Sequence, residues 1–364
     1  VNEMFNQKGS EISFRIGKPI PWESIAAMDL SKKAVAKLMR KQVYLLSQKK
    51  KKELFKPIEN IIHPVRTKLI RKELKASQLI GKTQDGKHIY LFDYMPNSSV
   101  MREIGRLREL SFRQVQEGTG NALDIDSYDR YYRHLILWDE DELEIIGSYR
   151  IGEAAKILKK HGEAGLYTHS LFKFNPSFIP YLEHSIELGR SFIQPRYQGK
   201  RSLDYLWYGI GAYLYQHPEI RYLIGPVSLS TSWPEPAQKV IASFYTELFG
   251  NNKILVDPRL PFDFEPIQEF APFTQVADEE NYKQAYAILK ALMDDFGVKV
   301  PILYKQYVEL CQPGGCEFLG FNIDPSFSNC VDALILVHIN TIKEKKHQRY
   351  IESHAAVFQK RDSA

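Results

Sequence analysis

The sequence predicts an α+β fold: a mixed α/β layer built on a mostly antiparallel sheet. Three observations carry the prediction. From about residue 88 onward, apolar runs of strand length alternate with stretches of helical spacing, in the order strand, helix, hairpin, helix, strand, helix, strand, helix. Residues 131–138 (YYRHLILW) and 143–151 (LEIIGSYRI) read as two strands joined by the acidic turn Asp139-Glu140-Asp141, a hairpin. Late in the chain single strands alternate with helices, so one pair, near 185–193 and 220–229, is expected to be parallel.

The elements follow in order. Residues 11–20 (EISFRIGKPI) read as a short strand ending in a Gly-Lys-Pro turn. Ser31 is placed to cap a helix running to about Phe55, with Val35, Leu38, Met39, Val43 and Leu46 on one face. Lys32, Lys33, Lys37, Arg40 and Lys41 occupy its other face, and a lysine run at 49–52 follows. This helix reads either as a solvated helix packed on its own domain or as a face that lies on anionic lipid. In the second case each basic residue near the surface is worth about 1 kcal/mol. Pro57, Pro64 and a further basic helix lead to Gly81; residues 87–94 then alternate as a strand. Residues 100–116 have helical spacing, with Ile104, Leu107, Leu110 and Val115 apolar, and a loop with Gly118 and Gly120 leads to Asp124, Asp126 and Asp129. A helix near 153–160 precedes the stretch 184–210, which reads as strand, basic glycine turn and amphipathic helix. A strand at 220–229, a helix at 234–249 stopped by Gly250, helices at 279–295 and 301–310, and a strand at 331–340 complete the chain. The expected organisation is a basic segment 1–80, a main domain 81–345 and a tail 346–364.

Composition bounds the function. The chain of 364 residues is 44% hydrophobic and 26% charged, which is globular. No run approaches the ~18 apolar residues of a membrane span, and no signal peptide is visible, which reads as a cytosolic protein. The net charge of +5 is local: residues 1–75 hold 18 Lys and Arg against 7 acids, so the remainder is net negative. That excludes a nucleic-acid protein coated in charge and describes a basic module beside a nearly neutral domain. Cys311, Cys316 and Cys330 cannot form a disulfide framework. Cys311 and Cys316 bracket a Pro-Gly-Gly turn without a second pair, so no metal site is expected.

Candidate chemistry concentrates in 184–210. Glu187 and Arg190 read either as a buried ion pair or as a general base beside an anion-binding group. An offset of three sends them to opposite faces of a regular strand; a bulge at Gly189 would re-aim one of them. Arg196, Gly199, Lys200 and Arg201 form a turn that opens a helix, either an ordinary strand-to-helix turn or a phosphate-receiving helix N-terminus. His134 and Asp139 have the His-x4-Asp spacing of glycerolipid acyltransferases, but along a strand that offset puts them on opposite faces, so His134 reads as a strand residue.

Four separated motifs occur in one order: Arg108-x3-Phe112, Asp126-x2-Asp129, the lone strand arginine Arg150, and Glu187-x2-Arg190. On these, residues 88–340 resemble the GNAT-like N-acyltransferases of the ornithine-lipid and acyl-homoserine-lactone-synthase type, proteins often labelled hemolysins. The resemblance implies a GNAT fold that moves a fatty acyl group, 3-hydroxyacyl in this branch, from the thioester of acyl carrier protein to an amine. It implies Glu187, Arg190 and Tyr245 as catalytic groups, with Glu187 the base and Tyr245 the acid for the leaving thiolate. Arg108, Phe112, Asp126, Asp129 and Arg150 would surround the acceptor. Arg196, Gly199, Lys200 and Arg201 would meet the phosphopantetheine phosphate and the acidic carrier. No tightly bound cofactor is implied, and Arg201, where the common GNAT phosphate loop has a small residue, favours the carrier protein over acyl-CoA. The expected partners are the carrier protein, an amino-acid acceptor and an anionic membrane surface on the inner face of the bacterial inner membrane, with no nucleic acid.

Residues 14–20 (FRIGKPI) with the basic helix are similar to the end of a glycerolipid O-acyltransferase domain. With Val1 at the start, this implies the C-terminal part of a two-domain acyltransferase. The expected product is a lyso-aminolipid of the ornithine or glycine type. Two other functions stand beside this one: a lipid-surface binding module, with Glu187 and Arg190 a structural pair, and a signal synthase using S-adenosylmethionine. An apolar pocket at the site would separate the enzyme from the binding module.

Overall fold

A computed structural model describes residues 11, 14–26, 28, 30–47, 54–55, 57–273 and 279–355. The lysine run at 49–52 and most of the tail lie outside them. The chain divides into two compact units, residues 1–61 with 120–122, and residues 62–119 with 123–364.

In the first unit lie α1 (Trp22–Ala26) and α2 (Lys32–Leu45). Ser31 caps α2, its hydroxyl accepting from the Ala34 N–H at 3.3 Å. The helix stops about ten residues short of the expected end. The Ser47 hydroxyl turns back to the Tyr44 carbonyl at 2.7 Å, a local bond that competes with helix continuation. No residue of α2 is buried, and Met39, Val43 and Tyr44 face solvent. Residues 14–20 form no strand. Pro19, and Pro21 just beyond, lack the N–H that a ladder requires.

The second unit is built on an eight-stranded sheet. Its helices are α3 (Thr67–Lys75), α4 (Ser99–Gln114), α5 (Ala154–His161), α6 (Ile179–Leu182), α7 (Ser202–Gln216), α8 (Glu235–Phe249), α9 (Glu279–Asp295), α10 (Ile302–Leu310) and α11 (Glu344–Tyr350). Its strands are β1 (Gln78–Lys82), β2 (His88–Asp93), β3 (Arg133–Asp139), β4 (Glu144–Glu153), β5 (Phe172–Phe174), β6 (Ser185–Ile193), β7 (Tyr222–Leu229), β8 (Val256–Pro258), β9 (Cys316–Asp324) and β10 (Cys330–His338). The sheet order is β1-β2-β3-β4-β6-β7-β10-β9, while β5 and β8 form a separate pair. Every neighbouring pair of the large sheet is antiparallel except β6 and β7, the parallel pair expected from sequence.

Both faces of the sheet are covered, which is why its central strands read as continuous apolar runs. Leu135 and Leu137 of β3 join a core with Leu206 and Ile210 of α7, Ile241 and Phe244 of α8, and Tyr304 of α10. The alternate residues Ile136 and Trp138 pack with Ile70 and Leu74 of α3 and Ile104 and Leu107 of α4. Glu73 of α3 accepts from the Ser98 hydroxyl at 2.6 Å and from the Ser99 and Val100 N–H groups at 2.9 and 3.0 Å. A carboxylate thus satisfies the otherwise unpaired donors at the start of α4.

The parallel pairing of β6 and β7 is short: it joins Ser185, Ile186 and Glu187 to Tyr222, Leu223 and Ile224, and then the strands part. At the point of parting the backbones are closest. A Cβ on Gly225 would lie 2.1 Å from the Leu188 carbonyl oxygen. Gly225→Ala is therefore expected to lower stability by about 1–3 kcal/mol, because only backbone movement relieves the clash. Gly189→Ala, whose Cβ meets nothing within 4 Å, should stay within about 0.5 kcal/mol of the parent. Urea denaturation midpoints of the two variants check the contrast.

Candidate active site

The site begins with an irregularity in β6. Ser148 pairs with Phe192 and Arg150 with Gly189, so Arg190 and Ser191 together oppose the single residue Tyr149. This is a bulge. The sequence places it on Gly189; the left-handed residue is instead Arg190, at φ 47°. That conformation costs a non-glycine residue roughly 1–2 kcal/mol. It is held by the guanidinium, which lies 4.9 Å from the Tyr167 ring and 4.6 Å from the Phe327 ring and 3.4 Å from Asp124.

Glu187 and Arg190 do not form the pair that their spacing suggests. The Glu187 side chain accepts from the Thr168 N–H at 2.6 Å, the Tyr167 N–H at 3.0 Å and the Tyr132 hydroxyl. At 1% exposure it anchors the turn of residues 167–170. Arg190 reaches the same turn from the other side, through the Tyr167 ring and hydroxyl.

The remaining motif charges do meet. Arg108 binds Asp129 at 2.8 Å, and Arg150 binds Asp126 at 2.7 Å and Asp129 at 3.4 Å. Arg190 extends the chain to Asp126 at 3.7 Å. Burial opposes the charge on Asp129, but Arg108 and Arg150 outweigh it and hold the carboxyl far below the usual range. His134 is buried here and accepts from Arg108 at 3.3 Å; burial first, then Arg108, pushes its pKa down to about 4. Asp139 lies elsewhere, paired with Lys87 at 2.8 Å and Tyr197 at 3.1 Å, so no His134–Asp139 dyad exists. Phe112 packs edge-on against Phe327 at 5.0 Å.

Where β6 and β7 part, a slot of about 110 Å³ passes between them. On one face of the sheet it is lined by Tyr149, Leu303 and Tyr307, and on the other by Phe112, Glu117, Phe327 and Asp332. A second cavity of about 440 Å³, largely apolar, runs from the Gly199 turn past Leu206 to Ser191 and Leu303. Ser191 and Leu303 line both, so the two cavities adjoin in a track from the turn to the slot with these side chains between them. The turn also borders a third cavity of about 450 Å³. Gly199 supplies its left-handed residue at φ 73°. Arg196 is neutralised by Glu142 at 2.6 Å and Glu144 at 3.0 Å, and Arg201 lies 3.7 Å from Asp204. Lys200 lies over the Tyr197 ring at 4.9 Å, with no acidic partner among the described residues.

Tyr245 does not reach the track. It is fully buried against Phe244, Tyr304 and Phe318, and its hydroxyl has no hydrogen-bond partner among the described residues. The phenols at the slot are Tyr149, Tyr167 and Tyr307. The sequence reading also passed over two acids. Asp332 breaks the apolar run of β10, a signal available in the sequence; Glu117 lies in a loop with no such mark. Burial and Asp332 push Glu117 up to about 8, and burial and Asp324 push Asp332 up to about 7.

A mixed sheet whose parallel pair parts around a bulge, with a glycine turn and helix at the end of the bulged strand, defines an acyltransferase of the GNAT type. The model of the Acetyltransferase (GNAT) domain matches residues 107–208. The glycine N(alpha)-acyltransferase of Phocaeicola vulgatus is 32% identical over 310 residues, 81% of this chain and 94% of that protein. Its namesake in Bacteroides thetaiotaomicron is 33% identical over 82% of this chain and 92% of that protein. The L-ornithine N(alpha)-acyltransferase of Rhodobacter capsulatus is 26% identical over 69% and 90%. The chain belongs to the GNAT family of N-acyltransferases, in the branch of these amino-acid N(alpha)-acyltransferases.

Two substitutions test the placement of the expected catalytic groups. Glu187→Gln removes a charged acceptor of buried N–H groups and should lower stability by about 1.5–3 kcal/mol, with turnover following the folded fraction. A base at this position would instead lose about 10²–10⁴ in rate at unchanged stability. Tyr245→Phe should leave turnover unchanged and stability equal or higher, because the hydroxyl it removes is unpaired. Denaturation midpoints and steady-state rates, measured together, decide both.

Proposed function

We propose that this N-acyltransferase moves a fatty acyl group, 3-hydroxyacyl in the first instance, from the phosphopantetheine thioester of acyl carrier protein to the amine of glycine, giving a lyso-aminolipid. The observation that carries the reading is the pair of adjoining cavities, one at the Gly199 turn and one between the parted strands beside Glu117 and Asp332. A pantetheine arm lies along the apolar part, between Leu203, Leu206 and Leu303, and delivers its thioester into the slot. Lys200 and Arg201, beside the N-terminus of α7, receive the phosphate and the acidic carrier surface. Backbone N–H groups of β6 beyond the parting point stabilise the thioester oxyanion.

Glycine is favoured as acceptor on two grounds. The slot of about 110 Å³ is well below the ~300 Å³ at which ordinary ligand pockets begin. Phe112 and Phe327 line its far side, and the two relatives that match over 81% and 82% of the chain are named for glycine, while the one named for ornithine that matches over 69% is less similar. Arg108, Asp126, Asp129 and Arg150, closed upon one another, shape the chamber wall by holding the turn that carries Tyr128 and Tyr132.

The lipid product belongs at a membrane surface. No helix among the described residues is long and apolar enough to cross a bilayer. We assign surface contact to α2, whose Met39 and Val43 face solvent alongside Lys32, Lys37 and Arg40. Mass spectrometry of reactions with 3-hydroxyacyl carrier protein and a panel of amino acids should find N-acylglycine as the main product, at least tenfold over N-acylornithine. Absence of any N-acyl amino acid overturns the reading. Flotation with vesicles containing anionic phospholipid should carry the protein upward at low salt, and replacing the α2 lysines by glutamine should abolish it.

A further inference from the structure

The acceptor's ammonium is not a nucleophile until it loses a proton, and Glu187 is already occupied by two backbone N–H groups and a phenol. A base must face the slot. Glu117 enters it from the loop after α4, and Asp332 from β10. Both stand on the face of the sheet that holds Phe112 and Phe327, opposite the face on which Leu303 and Tyr307 admit the arm. Asp332 accepts from the Ser228 hydroxyl at 2.6 Å. The Glu117 carboxylate is half-buried at the slot and has no hydrogen-bond or ion-pair partner among the described residues. A half-buried carboxylate that lines a cavity and has no donor from the protein is open to a donor supplied by a ligand.

Resting on the acyl-transfer reading above, we propose that Glu117 and Asp332 form a carboxylate pair that receives the acceptor's ammonium and that Glu117 removes its proton. The step balances. The ammonium gives one proton to the Glu117 carboxylate. The neutral amine then attacks the thioester carbon, the C–N bond forming as the C–S bond breaks. The second proton lost from nitrogen ends on the departing thiol, and the one held by Glu117 passes to solvent.

The surroundings suit the task. The groups facing the pair are Asp324 of β9, Arg190 of β6, Cys330 of β10, Tyr167 and Tyr304. Burial and the proximity of a second acid lift both carboxyls toward neutrality, with Arg190 pulling the other way. A base so poised is matched to an amine in a way that an ordinary carboxylate is not. The sign of the stability linkage follows. Each carboxyl is raised above its unfolded value, so its contribution is fully present below the unfolded pKa and is lost as pH rises through about 7 to 8.

Glu117→Gln and Asp332→Asn should therefore separate function from stability. With wild-type protein, glycine and acyl carrier thioester as reference, Glu117→Gln should lower kcat about 10²–10⁴-fold and Asp332→Asn by a smaller factor. Both variants should keep or raise the denaturation midpoint at pH 8.5 and lose part of its fall between pH 6.5 and 8.5. Aminooxyacetate, whose nitrogen is neutral at pH 7, should restore most of the Glu117→Gln rate. A Glu117→Gln enzyme that folds and acylates glycine at the wild-type rate overturns the proposal, as does a loss that aminooxyacetate does not relieve. A wild-type protein that acylates no amino acid overturns the underlying reading instead.

Discussion

The structure depends on the parting of β6 from β7. Two parallel strands that have begun to pair continue unless something stops them, because each further residue adds ladder bonds at little cost. Here two features act at once. The bulge at Arg190 gives β6 one residue more than β4 and turns its backbone. Gly225 brings β7 against the Leu188 carbonyl before the strands separate. The result is an opening through the middle of a sheet that is otherwise packed on both faces. In the proposed reaction the pantetheine arm enters from one face and meets the acceptor from the other.

Such an opening exposes backbone and leaves a left-handed arginine in place, and both are unfavourable. The compensation lies in the charges around it. Arg108 and Arg150 are buried and Arg190 is partly buried, and each is matched by an aspartate from the segment 124–129. That segment has little regular structure of its own. Its position is set by ion pairs to α4, β4 and β6, with Arg150 also lying over the rings of Tyr128, Tyr132 and Tyr167. Buried pairs of this kind are weak contributors to net stability, yet removing one partner is expensive. They specify one arrangement of the turns bordering the slot, and Glu187, fixing residues 167 and 168, does the same from within β6.

Much of this is legible in the chain. The β3–β4 hairpin, the helices α4, α5 and α7 to α10 and the parallel β6–β7 pair follow from periodicity and from the glycine and proline punctuation. β9 does not. Its alternation breaks at Leu319, which the register skips between Gly320 and Phe318, so the apolar period is lost midway. β5 and β8 are three residues each, too short to show any period. Among the site residues, Arg108, Asp126, Asp129 and Arg150 pair with one another, and local spacing is silent on this because their partners lie 21 to 24 positions away; it is resemblance to a family that groups them. Tyr245 shows the limit of the same device. Position on a helix after β7 does not say whether a phenol faces the slot or the core, and packing against Phe318 and Tyr304 turns it inward.

The division of the site into an apolar side and an acidic side bears on how transfer is kept from becoming hydrolysis. Water reaching the thioester would need the same base as the amine. Phe112 and Phe327, packed edge-on, line the slot beside Glu117 and Asp332. An acceptor seated there removes water from the base at the moment it supplies its own proton. Before it binds, the pair holds protons more tightly than an ordinary carboxylate, so the base is less available to water. A cationic ammonium between the two acids favours their ionised form. Under the assignment proposed for Glu117 and Asp332, binding of the acceptor creates the base that activates it, and the acidity of the chamber selects for an amine over an alcohol or water.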